Sequence, residues 1–330
     1  MPDFPRTAFL LGAGLGTRLR PLTENCPKPL LPIGGRPMLL QAMEKLHAAG
    51  TRRFIINTHH CPEAWTLAFP SGRFGEAEVQ LVHEPVLLET GGGLANIAGL
   101  LGEDDRDLVI WNGDILSGCD IAAAYAHHRA NGGAATLVVR EQGPNRNVRI
   151  TDEGFVTDLR DRLGKTDPTY QYTGICVATK AFVQGVPTTS ESLVEHFLRR
   201  LQAEPGSVQG FLDASASWHD LGTVEEYQAV KADHEKPVRG AIGPADAAKA
   251  HGYELTAGGE VLKGGSGRKF RRMRNAAGEA AVLCVYDDTR PENQLYGAIA
   301  VGILRQRVLV KLRECCRETL LDLRRQHLLV

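Results

Sequence analysis

The sequence predicts an α/β domain with a mostly parallel, mixed sheet covered by helices on both faces. Two observations predict it. From residue 6 to about 235, apolar runs rich in Val, Ile, Leu and Phe alternate with helical patterns, and those patterns stop at glycine or asparagine. Alternation of this kind demands crossover connections, which set strands parallel and bury both of their faces.

Taken in order, TAFLL (7–11), RFIIN (53–57), VQLVHEP (79–85), DLVIWNGD (107–114) and ATLVVRE (135–141) read as strands. PMLLQAMEKLHAAG (37–50), GGGLANIAGLLG (91–102) and DIAAAYAHHRANGG (120–133) read as the helices between them. RITDEGFVTDL (149–159) suits a hairpin, and YTGICVAT (172–179) another buried strand. SLVEHFLRRLQAE (192–204) and TVEEYQAVKADHEK (223–236) again read as helices, so a first domain is expected over 1–235. The Pro-, Gly- and Ala-rich KPVRGAIGPADAAKA then opens an expected linker, 236–255. A small α+β fragment of short strands and glycine turns is expected over 256–301. From 302 to 330 the chain reads as a basic amphipathic tail, with seven Lys or Arg against three acids.

Composition narrows the function. With 330 residues, 43% of them hydrophobic, 23% charged and a net charge of -1, the chain reads as globular, with no nucleic acid among its partners. No apolar run is long enough to span a membrane. The first residues, MPDFPRTAFLL, lack the charged start and cleavage site of a signal peptide. Seven scattered cysteines form no CxxC pair, which argues against zinc or a disulfide scaffold. Reduced thiols and a cytoplasmic location are the expectation.

The richest stretch is LLGAGLGTRLRPLTENCPKPL (10–30), a glycine turn directly after a predicted strand. Glycine lets backbone approach an anion closely, and exposed N–H groups can cradle it. A dinucleotide fingerprint would need glycine at position 17, where Thr17 stands, and the P-loop spacing is absent as well. Arg18 follows the glycines and Lys28 sits in a rigid PKP frame. Two cations brought to one glycine turn suit a triphosphate, whose charge must be neutralised before a nucleophile approaches.

GAGLGTRLRPLTENCPKPLLPIGGRPM (12–38) resembles the signature of bacterial sugar-1-phosphate nucleotidyltransferases, G-x-G-x-R-x-x-P-L-T followed by P-K-P. One departure is Gly12, where that family usually has alanine, a small-for-small change expected to matter little. LETGGGL (88–94), WNGD ending at Asp114, YTGI (172–175) and WHDLGT (218–223) follow in family order, so the resemblance covers roughly residues 6–235. It implies a Rossmann-like three-layer domain, an NTP and a sugar-1-phosphate as partners, and Mg2+ as cofactor. A homo-oligomer is compatible with it.

Carried onto this sequence, the resemblance implies Arg18 on the β- and γ-phosphates and Lys28 towards the α-phosphate as the catalytic cations. It implies Gly12, Ala13, Gly14, Gly16 and Thr17, with Glu89, Thr90, Gly91 and Asn112, around the nucleotide. LETGGGL is then a loop set against base and sugar. Thr173 and Gly174 face the sugar phosphate, and Asp114 and Asp220 hold the magnesium. Blander readings stand beside these: aspartates as helix or turn caps, Asn57 and Asn112 as turn formers, Trp218 as core. His59 and His60 read as rim residues, because neighbours on a strand point apart.

Within the family, ETGGG and the hairpin most resemble N-acetylmuramate-1-phosphate uridylyltransferases of cell-wall recycling. Transfer from UTP to N-acetylmuramate-1-phosphate is therefore the expected reaction. Mannose-1-phosphate guanylyltransferases share most of the motifs and give the alternative reading. A catalytically silent sugar-nucleotide-binding regulator is another, though intact Arg18, Lys28, Asp114 and Asp220 argue against it. GGSGRKFRRM and AAVLCVYDDTRPENQLYGAIA further on resemble the start of an aminoglycoside-phosphotransferase-like sugar kinase. The second stretch lacks the ATP-binding lysine, and no catalytic loop follows. A truncated or frame-shifted fusion piece without kinase activity is the expectation there.

Overall fold

A computed structural model describes residues 4–215, 217–234, 253–256, 262–263, 269–276, 278 and 280–285. Two compact units divide the chain: residues 1–31 with 37–230, and residues 32–36 with 231–330. Most of the expected linker and the whole of the expected basic tail lie outside the described residues, as does much of the segment expected to be kinase-like.

In chain order come β1 (Thr7–Leu11), β2 (Pro32–Ile33), β3 (Arg36–Pro37) and α1 (Met38–Ala49), with 3-10 turns at Thr17–Leu19 and Lys28–Leu30. Then follow β4 (Arg53–Thr58), α2 (Pro62–Ala68), β5 (Arg73–Phe74), β6 (Ala77–His83) and α3 (Glu89–Ile97). Next are β7 (Asp107–Asn112), β8 (Ile115–Ser117), α4 (Ile121–Asn131), β9 (Ala135–Arg140), β10 (Arg146–Ile150) and β11 (Val156–Leu159). β12 (Thr169–Thr179), α5 (Lys180–Gln184), α6 (Leu193–Ala203), β13 (Val208–Leu212), β14 (Trp218–Asp220) and α7 (Val224–His234) follow. Beyond them, β15 (Tyr253–Leu255), β16 (Leu262–Lys263), β17 (Lys269–Asn275) and β18 (Ala280–Val285) form a small antiparallel sheet around β17.

The first unit is built on a ten-stranded mixed sheet. Its centre is a parallel block in which β1 lies between β4 and β7, with β6 beyond β4. β12 runs antiparallel to β7 and β9, and the expected hairpin, β10–β11, extends the far side. The central strands bury both faces, as their unbroken apolar runs require. Phe9, Ile55 and Ile110 join one core with residues of α3, α5 and α6. Leu10, Phe54 and Trp111 join a second core with α1, α2 and α4. Three layers result, helices on sheet on helices. Each such fully buried side chain contributes about 1.5–3 kcal/mol.

Helix ends follow side-chain chemistry. Asp120 accepts from Ala123 N–H at 3.0 Å to open α4. Gly50 closes α1 with its N–H on the Leu46 and His47 carbonyls. Thr223 and Glu226 form a reciprocal capping box at α7, Thr223 N–H to Glu226 Oε2 at 2.9 Å and Glu226 N–H to Thr223 Oγ1 at 3.2 Å.

Among the elements that the residue pattern does not announce are α2 and β13. The seven residues of α2 bury only Ala64 and Trp65, too few for a helical period. β13 contains Gly210, a poor strand residue, because a Cβ there would lie 2.5 Å from the Ile150 side chain. The LETGGGL segment is also not a loop. It enters α3 at Glu89, and the three glycines form the body of the helix.

Thr223→Ala removes half of the capping box and should lower stability by about 1 kcal/mol. The measurement is a fall in the urea midpoint at an unchanged slope.

Candidate active site

The parallel block aligns three strand ends. Leu11 lies in register with Asn57 on one side and Asn112 on the other. The turns beginning at 12, 59 and 113 therefore leave one edge of the sheet. From β1 the chain runs outward to β4 and β6 and then returns through α3 to β7 on the other side of β1, and such a reversal of strand order is where open α/β sheets bind ligands. An open cleft occupies this edge. Of the residues singled out in the sequence, Ala13, Gly14, Lys28, Glu89, Thr90, Asn112 and Asp114 line it, together with Asn57.

Lys28 is the centre of the cleft's charge. Pro27 and Pro29 fix the backbone on either side of it, and the side chain is only 9% exposed. Its ammonium donates to Asp114 Oδ2 at 2.5 Å and lies 3.8 Å from Asp220 Oδ1. Asp114 reaches this point because Gly113 passes close under β1. Gly113 N–H bonds the Leu11 carbonyl at 2.9 Å, and a Cβ at 113 would lie 2.5 Å from that oxygen. Asp220 arrives on β14, which pairs antiparallel with β8 and sets Asp220 opposite Ile115.

Desolvation beside this cluster raises the Asp220 carboxyl above the ordinary aspartate range, and the neighbouring Asp114 raises it further. Lys28 opposes both in part, as does Arg18. Arg18 itself is exposed at the rim, in the turn after Gly16 and Thr17, rather than in the cleft lining. Its guanidinium flanks Gly222, where a Cβ would lie 3.4 Å from Nη1.

Gly12 is held by Asn57. Its N–H donates to Asn57 Oδ1 at 2.8 Å. A Cβ at position 12 would lie 2.7 Å from both the Asn57 carbonyl oxygen and the Trp65 ring. In this chain the glycine fits where an alanine would press on both the Asn57 backbone and a fully buried tryptophan.

Residues 7–236 match the Nucleotidyl transferase family. The chain belongs to that family. It is 35% identical over 269 residues to the mannose-1-phosphate guanylyltransferase of Mycobacterium tuberculosis, spanning 78% of this chain and 72% of that protein. It is 27% identical over 241 residues to the UTP–glucose-1-phosphate uridylyltransferase of Synechocystis sp., spanning 68% and 62%. Among solved structures, HddC from Yersinia pseudotuberculosis complexed with GMP-PN has a TM-score of 0.55 at 21% identity, covering 69% of this chain and 98% of that one. That likeness is one of fold, a Rossmann-like three-layer α/β architecture.

Within this nucleotidyltransferase, Gly12, Gly16, Thr17, Arg18, Gly91, Thr173, Gly174 and Asp220 are not among the residues that line the cleft, and Gly91, Thr173 and Gly174 pack elsewhere. Gly91 faces the 191–193 segment: its N–H donates to the Glu191 carbonyl at 2.8 Å, and a Cβ would meet that same oxygen. Thr173 is fully buried and donates its hydroxyl to the Val138 carbonyl at 2.8 Å. Gly174, at φ +80°, packs against the Asn112 side chain. Trp218 is half-buried and packs against the second core; its indole N–H donates to the Thr173 carbonyl at 2.9 Å, and Arg140 lies over its ring. His59 and His60 do point apart, to the carbonyls of Glu84 and Thr23. Asn57, read as a turn former, is instead 2% exposed and lines the cleft. Its signal is a polar residue closing an otherwise apolar strand.

The donor set fits a hard divalent cation. Asp114 and Asp220 converge on one positive charge, and no group of three or more His, Cys, Asp or Glu is suitably arranged among the described residues. Mg2+ takes one or two carboxylates and completes its shell with phosphate oxygens and water. No helix among the described residues is long and apolar enough to cross a membrane.

The raised Asp220 carboxyl has a stability consequence. An acid whose folded value lies above its usual 3.8 favours the fold at low pH and costs stability as pH rises through the folded value. Asp220→Asn removes that cost. The unliganded variant should melt up to about 2 °C higher at pH 7, with the difference gone near about pH 3. Melting curves across pH check the sign.

Proposed function

We propose that this chain transfers the guanylyl group of GTP to mannose-1-phosphate, giving a nucleoside-diphosphate sugar and pyrophosphate. The observation that carries the transfer reading is the Lys28 ammonium held between Asp114 and Asp220 at the carboxyl edge of the sheet. An oxygen of the sugar phosphate attacks the α-phosphorus. The bond from that phosphorus to the bridging oxygen breaks, and pyrophosphate leaves with the electron pair. The nucleophile is already an anion, so no general base is needed. The protein's task is to bring two anions together, align them and neutralise charge in the transition state.

Each residue then has a part. Lys28 neutralises charge at the α-phosphate, and Arg18, at the rim beside 220–222, takes the outer phosphates. The backbone of Ala13 and Gly14 lies against the phosphates, while Glu89, Thr90 and Asn112 meet base, ribose or sugar. Asp114 and Asp220 would hold Mg2+, which when bound supplies positive charge to the phosphate oxygens.

Guanine and mannose are favoured by the mycobacterial relative and by fungal mannose-1-phosphate guanyltransferases, such as that of Aspergillus fumigatus at 33% identity over 135 residues. They weigh against UTP with N-acetylmuramate-1-phosphate, the expectation drawn from ETGGG. The physical reason lies in the glycines. Gly91 packs on Glu191, Gly92 on Thr189 and Gly93 on Asn57, so their smallness answers to helix packing rather than to the sugar.

Pyrophosphate release measured for GTP, UTP, CTP and dTTP against mannose-, glucose- and N-acetylmuramate-1-phosphate tests the reading. GTP with mannose-1-phosphate should exceed every other pair about tenfold or more, a gap of about 1.4 kcal/mol. Preference for UTP with N-acetylmuramate-1-phosphate would restore the other substrate pair, and no release from any pair would favour a silent binder. Lys28→Ala and Asp114→Asn should each lower kcat/KM by about a hundredfold or more with an unchanged circular-dichroism spectrum.

A further inference from the structure

We infer that Asn57 and Glu84 are positioning residues that fix the width of the nucleotide cleft through a relay of three directed hydrogen bonds. The inference rests on the nucleotide-transfer reading above. Gly12 N–H donates to Asn57 Oδ1 at 2.8 Å, and Asn57 Nδ2–H donates to Glu84 Oε1 at 2.8 Å. Leu88 N–H donates to Glu84 Oε2 at 3.1 Å. The two ends of the relay are the two walls of the cleft. Ala13 and Gly14 follow Gly12 directly, and Glu89 and Thr90 follow Leu88.

The chemistry of the relay dictates both side chains. Glu84 meets an N–H at each oxygen, so it must accept twice, which a carboxylate does and an amide cannot. Asn57 must accept from Gly12 on one side and donate to Glu84 on the other, which an amide does and a carboxylate cannot. Both are almost wholly buried, at 2% and 1% exposure, so no water takes over a broken link cheaply. Glu84 is itself anchored, with its N–H on the Thr58 carbonyl at 2.7 Å and its carbonyl accepting from His59 Nδ1–H at 2.7 Å. Helix α3 lies directly on the relay: a Cβ at Gly93 would sit 2.7 Å from Asn57 Nδ2 and 2.9 Å from Glu84 Oε1. Glu89, one residue past the relay's end, holds φ +62°, a left-handed conformation that non-glycine residues keep only where surroundings impose it.

The directionality provides the test. Asn57→Asp alone sets two acceptors against each other, and Glu84→Gln alone sets two donors against each other. The double variant N57D/E84Q reverses the middle bond and restores all three. Its amide at position 84 accepts from Leu88 and donates to the carboxylate at position 57, which still accepts from Gly12. Each single variant should raise the nucleotide KM about tenfold or more, the effect of losing one buried hydrogen bond to a charged group, and leave the sugar-phosphate KM within about twofold. The double variant should return the nucleotide KM to within about threefold of the parent. Unchanged nucleotide KM in the single variants would overturn the inference. So would a double variant that regains the parental melting temperature without regaining the nucleotide KM, and this arm stands even where a single variant fails to fold. GTP affinity measured by calorimetry without sugar phosphate separates the two readings. A parent that binds GTP but turns over no sugar phosphate would remove the transfer reading and still expose the relay, whereas a parent that binds no GTP would sink both.

Discussion

One buried ammonium group ties the site together. Lys28 comes from the turn after β1, Asp114 from the end of β7, 86 residues later in the chain, and Asp220 from β14. A lysine head removed from water is tolerable only where carboxylates meet it. The three segments must therefore converge, and much of the local architecture serves that convergence. The β1–β7 register, the missing side chain at Gly113, the β8–β14 ladder and the capping box after Gly222 each bring one of the partners to its place.

This convergence has a cost that the fold bears elsewhere. Burial raises the proton affinity of Asp220, and repulsion from the neighbouring Asp114 carboxylate adds to it. The left-handed Glu89 at the opposite wall is a second local expense. Both sit at the mouth of a domain whose central strands are buried on each face, so the sheet supplies the stability and the edge holds the charge. Such a division is what a site for polyanionic ligands requires, since groups arranged for a ligand are poorly arranged for each other.

Much of the fold was legible in the residues, for a definite reason. A strand buried on both faces is apolar through most of its length, and the interiors of β1, β4, β7 and β9 show it. The glycine turn at the cleft was legible too, because its glycines and Lys28 lie within one short stretch. Asn57 and Glu84 were not. Each is a single polar residue whose partners lie 27 and 45 residues away or on another element, and no local pattern announces them. The ETGGG segment misled in another way. Glycine is chosen both for ligand approach and for close helix packing, and the letters are the same.

The contact between Gly12 and Trp65 reaches beyond the single chain. Trp65 stands on α2, a helix with no obvious part in the reaction, yet its ring takes up the volume that a methyl group at position 12 would need. Position 12 and position 65 are therefore one packing decision written in two places. Among descendants of a common ancestor the two should change together, alanine in the turn accompanying a smaller residue on the helix and a shift of the strand end that carries the Asn57 carbonyl. The choice of residue at the phosphate turn is then set partly from behind the sheet, by the history of a helix that never meets the ligand.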